Sequence, residues 1–491
     1  MANTENRVLA FDFGASSGRA ILGTLKDDKI EMQEVHRFSN DPVVVGDTMY
    51  WDTLRQFFEI KQGIIKAKKS GGFNSIGIDT WGVDFGLIDN NGRLLENAVH
   101  YRDDRTVGMQ EEVFKAIAKE DIYNLTGNQF ENFNTIFQLY SLVKKRPELL
   151  EKAKILLLTP DLFNFFLTGV KRAEYTMATT TQLMDAKNKV WSDRLIEGLS
   201  IPKDILPEIV PSGTIIGNIT DRICEELEID PAKVISVASH DTQSAVVAVP
   251  TENEDFIFIS CGTWSLFGTE MNEPIINEYT YDINISNEGG YGNTSTLLKN
   301  IIGLWLVQES RRQWIREGSE YSFGELEEMA SEVEPFASII DPDSPEFNPA
   351  GNMPRRIKEF CRRTNQKVPE SAGEIVCCIN QSLALKYRYT LEQIEKCTGK
   401  RYETINMIGG GIQSKMLCRM TAEASNRKVI AGPIEATALG NIATQFMALG
   451  DIKDLREARR IISNSEQTVT YIPTNIKAWD DTYERFKEII K

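Results

Sequence analysis

Two stretches about half a chain apart share one pattern. Residues 7–25, RVLAFDFGASSGRAILGTL, run apolar, small-residue turn, apolar, and residues 255–270, DFIFISCGTWSLFGTE, repeat the arrangement. Each reads as strand, turn, strand, and the recurrence points to an internal duplication. Two unrelated hairpins would leave the same trace. A length of 491 residues, however, already exceeds what one hydrophobic core supports, so two domains are the expectation.

The rest of the chain alternates strands and helices, which indicates an α/β protein. After the first hairpin, Asp27-Asp28 closes a second turn before KIEMQEVHRF, so three strands in hairpin order should form the edge of a sheet. Asp52 is a predicted N-cap for a helix over 53–69, with Leu54, Phe57, Phe58, Ile64 and Ile65 near one face. FNSIGIDTWGVDFGLID (73–89) reads as a strand pair interrupted at Gly82-Val83-Asp84. The Pro/Gly-punctuated stretch 206–220 reads as a hinge. INMIGGG (405–411) is a strand running into three glycines, followed by a predicted helix.

Composition removes several classes of function. A net charge of −16 argues against a nucleic-acid binder, which needs a basic face, and means that a polyanionic substrate must be met by local donors or a metal. The apolar stretch 155–169 is broken by Pro160-Asp161 and is too short to span a bilayer. The opening MANTENRV has no basic region followed by an apolar core, so no signal peptide is expected. Seven cysteines without a C-x-x-C pair suit the reducing cytoplasm, with a bridge from Cys361 to Cys377 or Cys378 as the alternative. The expected partners are small molecules, with no nucleic acid and no membrane, on a monomer or weak homodimer.

LAFDFGASSGRAIL (9–22) admits three chemistries. Asp12-Phe13-Gly14 is the metal-binding tripeptide of protein kinases, but no H-R-D-x-x-x-x-N precedes it, and the tripeptide recurs at 84–86. Gly14-Ala15-Ser16-Ser17-Gly18 fits the G-x-S-x-G of serine hydrolases, yet RAILGTL after it is β-prone where a nucleophile elbow needs a helix. The third reading is a phosphate cradle, in which small residues expose backbone N–H groups to phosphate oxygens. Asp12 at the strand end could hold Mg²⁺, and Ser16 or Arg19 could reach the terminal phosphate. CGTWS would be a second cradle, and the glycines at 409–411 would admit an adenosine ring or ribose. In ASHDTQSAV (238–246) the carboxylate of Asp241 could accept a hydroxyl proton; Asp241 or Thr242 as a plain helix cap is the alternative.

With these residues in hand, the chain resembles the carbohydrate kinases of the actin/hexokinase/heat-shock-ATPase superfamily and, within them, the rhamnulokinase family. The resemblance runs through DFGASSGR, WDTLRQFFEIKQGI, IGIDTWGVDFGLID, YRDDRT, SHDTQSAV, SCGTWSLFG, LLKNIIGLWLVQES, IGGGIQS and AGPIEATALGN. It implies two ribonuclease-H-like domains, a duplicated actin-like ATPase fold, flanking a central cleft. The boundaries would be 1–245 for the sugar side and 246–491 for the nucleotide side. It implies Ala15, Ser16, Ser17, Gly18, Arg19, Thr263, Gln308, Gly410 and Gly411 on ATP, and Gly82, His240, Thr242 and Asn300 on a ketose, with Asp241 as base. Asp84, on the same turn as Gly82, is expected as a further sugar-hydroxyl partner. The implied reaction is Mg²⁺-dependent phosphorylation of L-rhamnulose at its 1-hydroxyl by ATP, in rhamnose degradation. The alternatives are another ketose such as L-fuculose, or a non-catalytic actin-like ATP-binding protein.

Overall fold

Two sheets, each built on a hairpin, organise the chain in the computed structural model, which describes residues 6–490. Residues 1–5, part of the opening read for a signal peptide, lie outside the described residues. The chain forms two compact units. The first comprises residues up to Glu252 together with 270–297 and 436–466, and the second 253–269, 298–435 and the residues from 467 onward.

In the first unit, β1 (Arg7–Phe13), β2 (Ser17–Lys26) and β3 (Lys29–Ser39) follow one another as antiparallel neighbours, with β3 at the sheet edge as expected. β4 (Ser75–Thr80) runs parallel to β1, and the sheet continues through β6 (Lys233–Ser236) to β5 (Thr214–Asn218). All six residues of β4 are buried, because helices cover both faces of these central strands. The helices Thr159–Thr168 and Ala436–Leu449 pack on β4, while α1 (Thr53–Lys69) packs on β1, β2 and β3. The stretch 206–220, expected as a hinge, instead ends as the edge strand β5, whose backbone pairs with β6.

Asp52 caps α1, accepting from the Arg55 amide at 3.1 Å. The buried face of α1 overlaps the expected one in part: Ile64 is buried, and Phe57 and Ile65 pack partly against the core. Ile60, Gly63, Ile64 and Ala67 pack inward, while Leu54 and Phe58 are exposed. Counting apolar residues overlooked the row that Gly63 opens against Phe11 and Ala20. Full burial of Ile60 and Ile64 contributes about 1.5–3 kcal/mol each.

The second unit repeats the core. β7 (Ile257–Cys261) pairs antiparallel with β8 (Trp264–Met271), which neighbours β9 (Ser295–Ile302). On its other side β7 runs parallel to β10 (Thr404–Ile408), then come β11 (Lys428–Ala431), also parallel, and β12 (Val469–Tyr471). The order β3-β2-β1-β4-β6 of the first sheet thus matches β9-β8-β7-β10-β11 of the second, the arrangement a duplicated actin-like fold requires.

A single cut between 245 and 246 divides the chain differently. The helix Ala436–Leu449 belongs with the first sheet because its polar side chains are satisfied there. Gln445 Nε2 donates to Leu9 O at 3.2 Å and Asn441 Nδ2 to Asp79 Oδ2 at 2.6 Å. All seven cysteines are free thiols. Among the described residues, no helix is long and apolar enough to cross a membrane.

Candidate active site

The first turn, Gly14 to Ser17, closes β1 onto β2 through the Gly14 amide, which donates to Ser17 O at 2.9 Å. No helix follows Gly18, so a nucleophile elbow is excluded. Asn40 braces the turn from β3's end. Its Nδ2 donates to Gly14 O at 2.8 Å, its amide to Ser16 O at 3.1 Å, and its own Oδ1 accepts from Gln56 Nε2 at 2.7 Å. With the carbonyls held this way, the amides of Ala15 and Ser16 have no acceptor among the described residues, and Ser16 is exposed. Unpaired amides on a small-residue turn are the donor set that anion-binding concavities use. Asn40 escaped sequence reasoning because nothing in SNDP sets it apart from an ordinary turn residue.

Asp12 stands opposite Arg19 in the β1–β2 register, and Arg19 Nη2 meets Asp12 Oδ2 at 2.6 Å. Its partner on the parallel strand is Asp79, which sequence reasoning passed over. The signal was present, since LAFDF and IGIDT carry an aspartate at the same place near the end of an apolar strand. Asp79 is fully buried and its Oδ1 lacks a hydrogen-bond partner; burial, then the Asp12 charge, push its carboxyl well above the usual range.

No group of three or more His, Cys, Asp or Glu among the described residues could hold a metal alone. Mg²⁺ does not require one, because it takes one or two carboxylates and completes its shell with water and phosphate. The hard-oxygen donors Asp12 and Asp79, the latter with an orphaned Oδ1, fit that ion.

β4 leads into Gly82 and Asp84. Val83 holds a positive φ of 69°, strained for a β-branched residue, and is fixed by Thr180 Oγ1 on its amide and Thr135 Oγ1 on its carbonyl. Asp84 is not a sugar partner here. Its Oδ2 accepts from Trp51 Nε1, Trp81 Nε1 and the Tyr101 amide, and its Oδ1 from Gln138 Nε2. Three donors crowd Oδ2 and one meets Oδ1, and the side chain is fully buried. Burial lifts its pKa to about 6 despite those donors. It ties the Gly82 turn to the aromatic cluster of Trp51, Trp81 and His100.

β6 leads into α2 (Asp241–Val247). His240, not Asp241 or Thr242, occupies the N-cap position, and it makes no side-chain cap bond. Asp241 opens the helix with 32% of its side chain accessible, and its Oδ1 accepts from the Thr242 amide at 2.6 Å. Burial raises its pKa, the nearby His240 opposes that, and Asp12 adds to it. The Asp12 and Asp241 carboxylates therefore feel each other within one unit.

In the second unit, Gly262 N donates to Trp264 O at 2.8 Å, the counterpart of the Gly14 bond. Thr263 O accepts from the Gly303 and Trp305 amides, each at 3.1 Å, which sets the start of the helix Trp305–Arg316 against this turn. Thr263 Oγ1 then reaches Gln308 Oε1 at 3.3 Å. The glycine run lies beside the same turn. A Cβ on Gly411 would stand 2.7 Å from Cys261 Cβ, and Gly409 has a φ of +87° with Cys261 O 3.0 Å from where its Cβ would be. Gly410 faces open space. Thr263, Gln308, Gly410 and Gly411 are thus brought together. The helix after the glycines begins only at Lys415, capped by Ser414, because Gly410 and Gly411 belong to a short 3₁₀ turn, Gly410–Gln413, that precedes it. Asn300 sits half-buried on β9, also in the second unit.

Comparison with known proteins settles the family. Residues 7–248 match the N-terminal domain, and 257–449 the C-terminal domain, of the FGGY family of carbohydrate kinases. The chain belongs to the FGGY family of carbohydrate kinases. A protein of Oceanobacillus iheyensis called rhamnulokinase is 45% identical over 94% of this chain and 97% of its own length. One of Bacteroides thetaiotaomicron with the same name is 40% identical over 98% and 99%. Among solved structures, the ligand-bound xylulose kinase of Lactobacillus acidophilus superposes with a TM-score of 0.83 at 18% identity, covering 99% of this chain and 97% of that one. The Plasmodium falciparum glycerol kinase with ADP gives 0.77 at 16%, covering 99% and 98%. These two likenesses establish the fold of an FGGY carbohydrate kinase.

Proposed function

We propose that this carbohydrate kinase transfers the γ-phosphoryl group of ATP to the 1-hydroxyl of L-rhamnulose, giving L-rhamnulose 1-phosphate and ADP. The observation that carries the reading is 45% identity, over nearly the full chain, with a relative called rhamnulokinase. The accessible carboxylate of Asp241 at the start of α2 supports it chemically.

Asp241 accepts the hydroxyl proton as the new oxygen–phosphorus bond forms and the bond from the γ-phosphorus to the departing ADP oxygen breaks. Gly82, His240, Thr242 and Asn300 hold the ketose. Thr263, Gln308, Gly410 and Gly411 hold the nucleotide, and the Ala15–Arg19 turn receives phosphate on its amides. Asp12 would hold Mg²⁺, with Asp79 behind it. When bound, the ion screens the charge of the phosphoryl oxygens. A cytoplasmic location suits the seven free thiols.

ADP release across a panel of ketoses tests the substrate. L-rhamnulose should give the highest kcat/KM. Turnover of L-fuculose without L-rhamnulose would replace the substrate, and nucleotide binding with no sugar-dependent turnover would replace the activity.

Two further outcomes follow from the geometry. Protonated Asp241 cannot accept a proton, so kcat/KM for the ketose should fall as pH drops through its raised pKa. The acid limb should therefore lie above the ordinary aspartate value of about 3.9. A profile flat down to about pH 4 would count against Asp241 as base. Asn40→Ala removes the side-chain bond that braces the first turn at Gly14 O, together with the Gln56 contact that holds Asn40, and should raise the KM for ATP about tenfold, the size of one or two net hydrogen bonds. An unchanged KM in a normally folded variant would show that the turn needs no brace.

A further inference from the structure

One buried acid close to the reaction centre has no part in the chemistry described so far. Glu288 lies on the short strand Ser286–Gly289, whose four residues are all buried. The strand is pinned at both sides, by the Asn287 amide on Gly127 O and the Gly289 amide on Thr179 Oγ1, each at 2.8 Å. A buried carboxylate is costly unless something compensates it. For Glu288 Oε2 that group is the His240 ring, whose Nδ1 lies 3.2 Å away in an ion-pair contact, and neither atom has a hydrogen-bond partner.

The ring is also held from its backbone. The His240 amide donates to Thr176 Oγ1 at 3.1 Å, and Thr176 Oγ1 donates to the Glu174 carboxylate at 2.5 Å. With the backbone held in this way and Nδ1 against Glu288, Nε2 faces Asp241 Oδ1 from 3.5 Å. We propose that Glu288 is a positioning residue for phosphoryl transfer, holding the His240 imidazole so that its Nε2 stays against the Asp241 carboxylate. The inference rests on the reading of Asp241 as the base.

The charged groups bearing on the ring are Glu288, Asp241 and Glu174, all acidic. Burial opposes the charged ring, but the contact and charge of Glu288, with Asp241 and Glu174 behind it, outweigh burial and push His240 upward. A cationic ring beside Asp241 favours its ionised, proton-accepting form. Glu288 thus acts through His240 twice, on its orientation and on its charge.

The test compares Glu288→Gln with Glu288→Asp in the full chain, using the ketose that the substrate panel identifies. Glu288→Gln should lower kcat about tenfold or more, as misplacement at a reacting centre does, and leave the KM for ATP unchanged. Its acid limb should move to higher pH, because Asp241 loses the help of the cationic ring, and Glu288→Asp should return the limb toward the parent's. Parent-like kcat and an unmoved limb in Glu288→Gln would overturn the proposal. In a His240→Asn background Glu288→Gln should have no further effect, and additive losses would likewise overturn it. The chain has three histidines, so the His240 imidazole can be assigned by NMR using His240→Asn. Its titration midpoint should fall in Glu288→Gln. That readout needs no turnover: were no ketose phosphorylated, the reading of Asp241 would fail, while an unmoved imidazole titration would defeat the role of Glu288 by itself.

Discussion

Asp241→Asn should leave nucleotide and ketose binding intact and lower phosphoryl transfer by about 10²–10⁴, the usual contribution of a general base. In barrier terms this is about 3–5 kcal/mol. Asparagine matches aspartate in shape, and its oxygen can keep the bond from the Thr242 amide, so α2 keeps its first turn. What disappears is a site for the hydroxyl proton. The measurement pairs steady-state ADP release with calorimetric titration of ADP and sugar. Turnover within about threefold of the parent would remove Asp241 from the mechanism, because a base worth so little lies outside the range such groups contribute. Lost binding with intact transfer at saturation would instead make it a sugar contact.

Gly440→Ala should be the most damaging single methyl group in the chain. Gly440 faces α2 from the helix Ala436–Leu449, and a Cβ there would stand 1.7 Å from Ser244 O and 2.6 Å from Ser244 C. Backbone cannot turn aside as a side chain does, so the helices must part. Parting them strains the bonds that the same helix makes with the sheet, Asn441 to Asp79 and Gln445 to Leu9 O and Ser75 Oγ. Overpacking costs about 1–3 kcal/mol and each orphaned buried polar group about 1–3 more. Against a total stability of about 5–15 kcal/mol, the variant should be insoluble or melt far below the parent. Because α2 carries Asp241, any folded fraction should also turn over slowly. A melting temperature within about 2 °C of the parent would show that the two helices separate freely.

Motifs that are local in sequence were legible. The two hairpin turns, their half-length spacing, and Asp241 after a strand needed only neighbouring residues, and the matching core order of the two sheets follows from them. Legibility ended where a side chain's partner lies far along the chain. Asp84 looks like a polar turn residue, and only the fold brings Trp51, Tyr101 and Gln138 to it. Glu288, among the turn residues of ISNEGGYGN, carries no pattern at all, since what gives it meaning is His240 on another element. The face of α1 was read only in part for a related reason, with Ile64, Phe57 and Ile65 against the core but Leu54 and Phe58 outside it. Apolar identity alone cannot reveal that Gly63 opens the row along which the sheet approaches, leaving Leu54 and Phe58 to solvent.

The return of residues 436–466 to the first unit bears on how the chain is made. When a ribosome has released the first 252 residues, one face of the opening sheet still waits for a helix that has not been translated. At about 5–20 residues per second, roughly 10–40 s pass before that cover emerges. During the interval Asp79 lacks Asn441, and the backbone at Leu9 lacks its amide donor. The unit that begins first therefore stays incomplete until residue 466 exists, and Asp79 gains its Asn441 donor only when almost all of the polypeptide has been made.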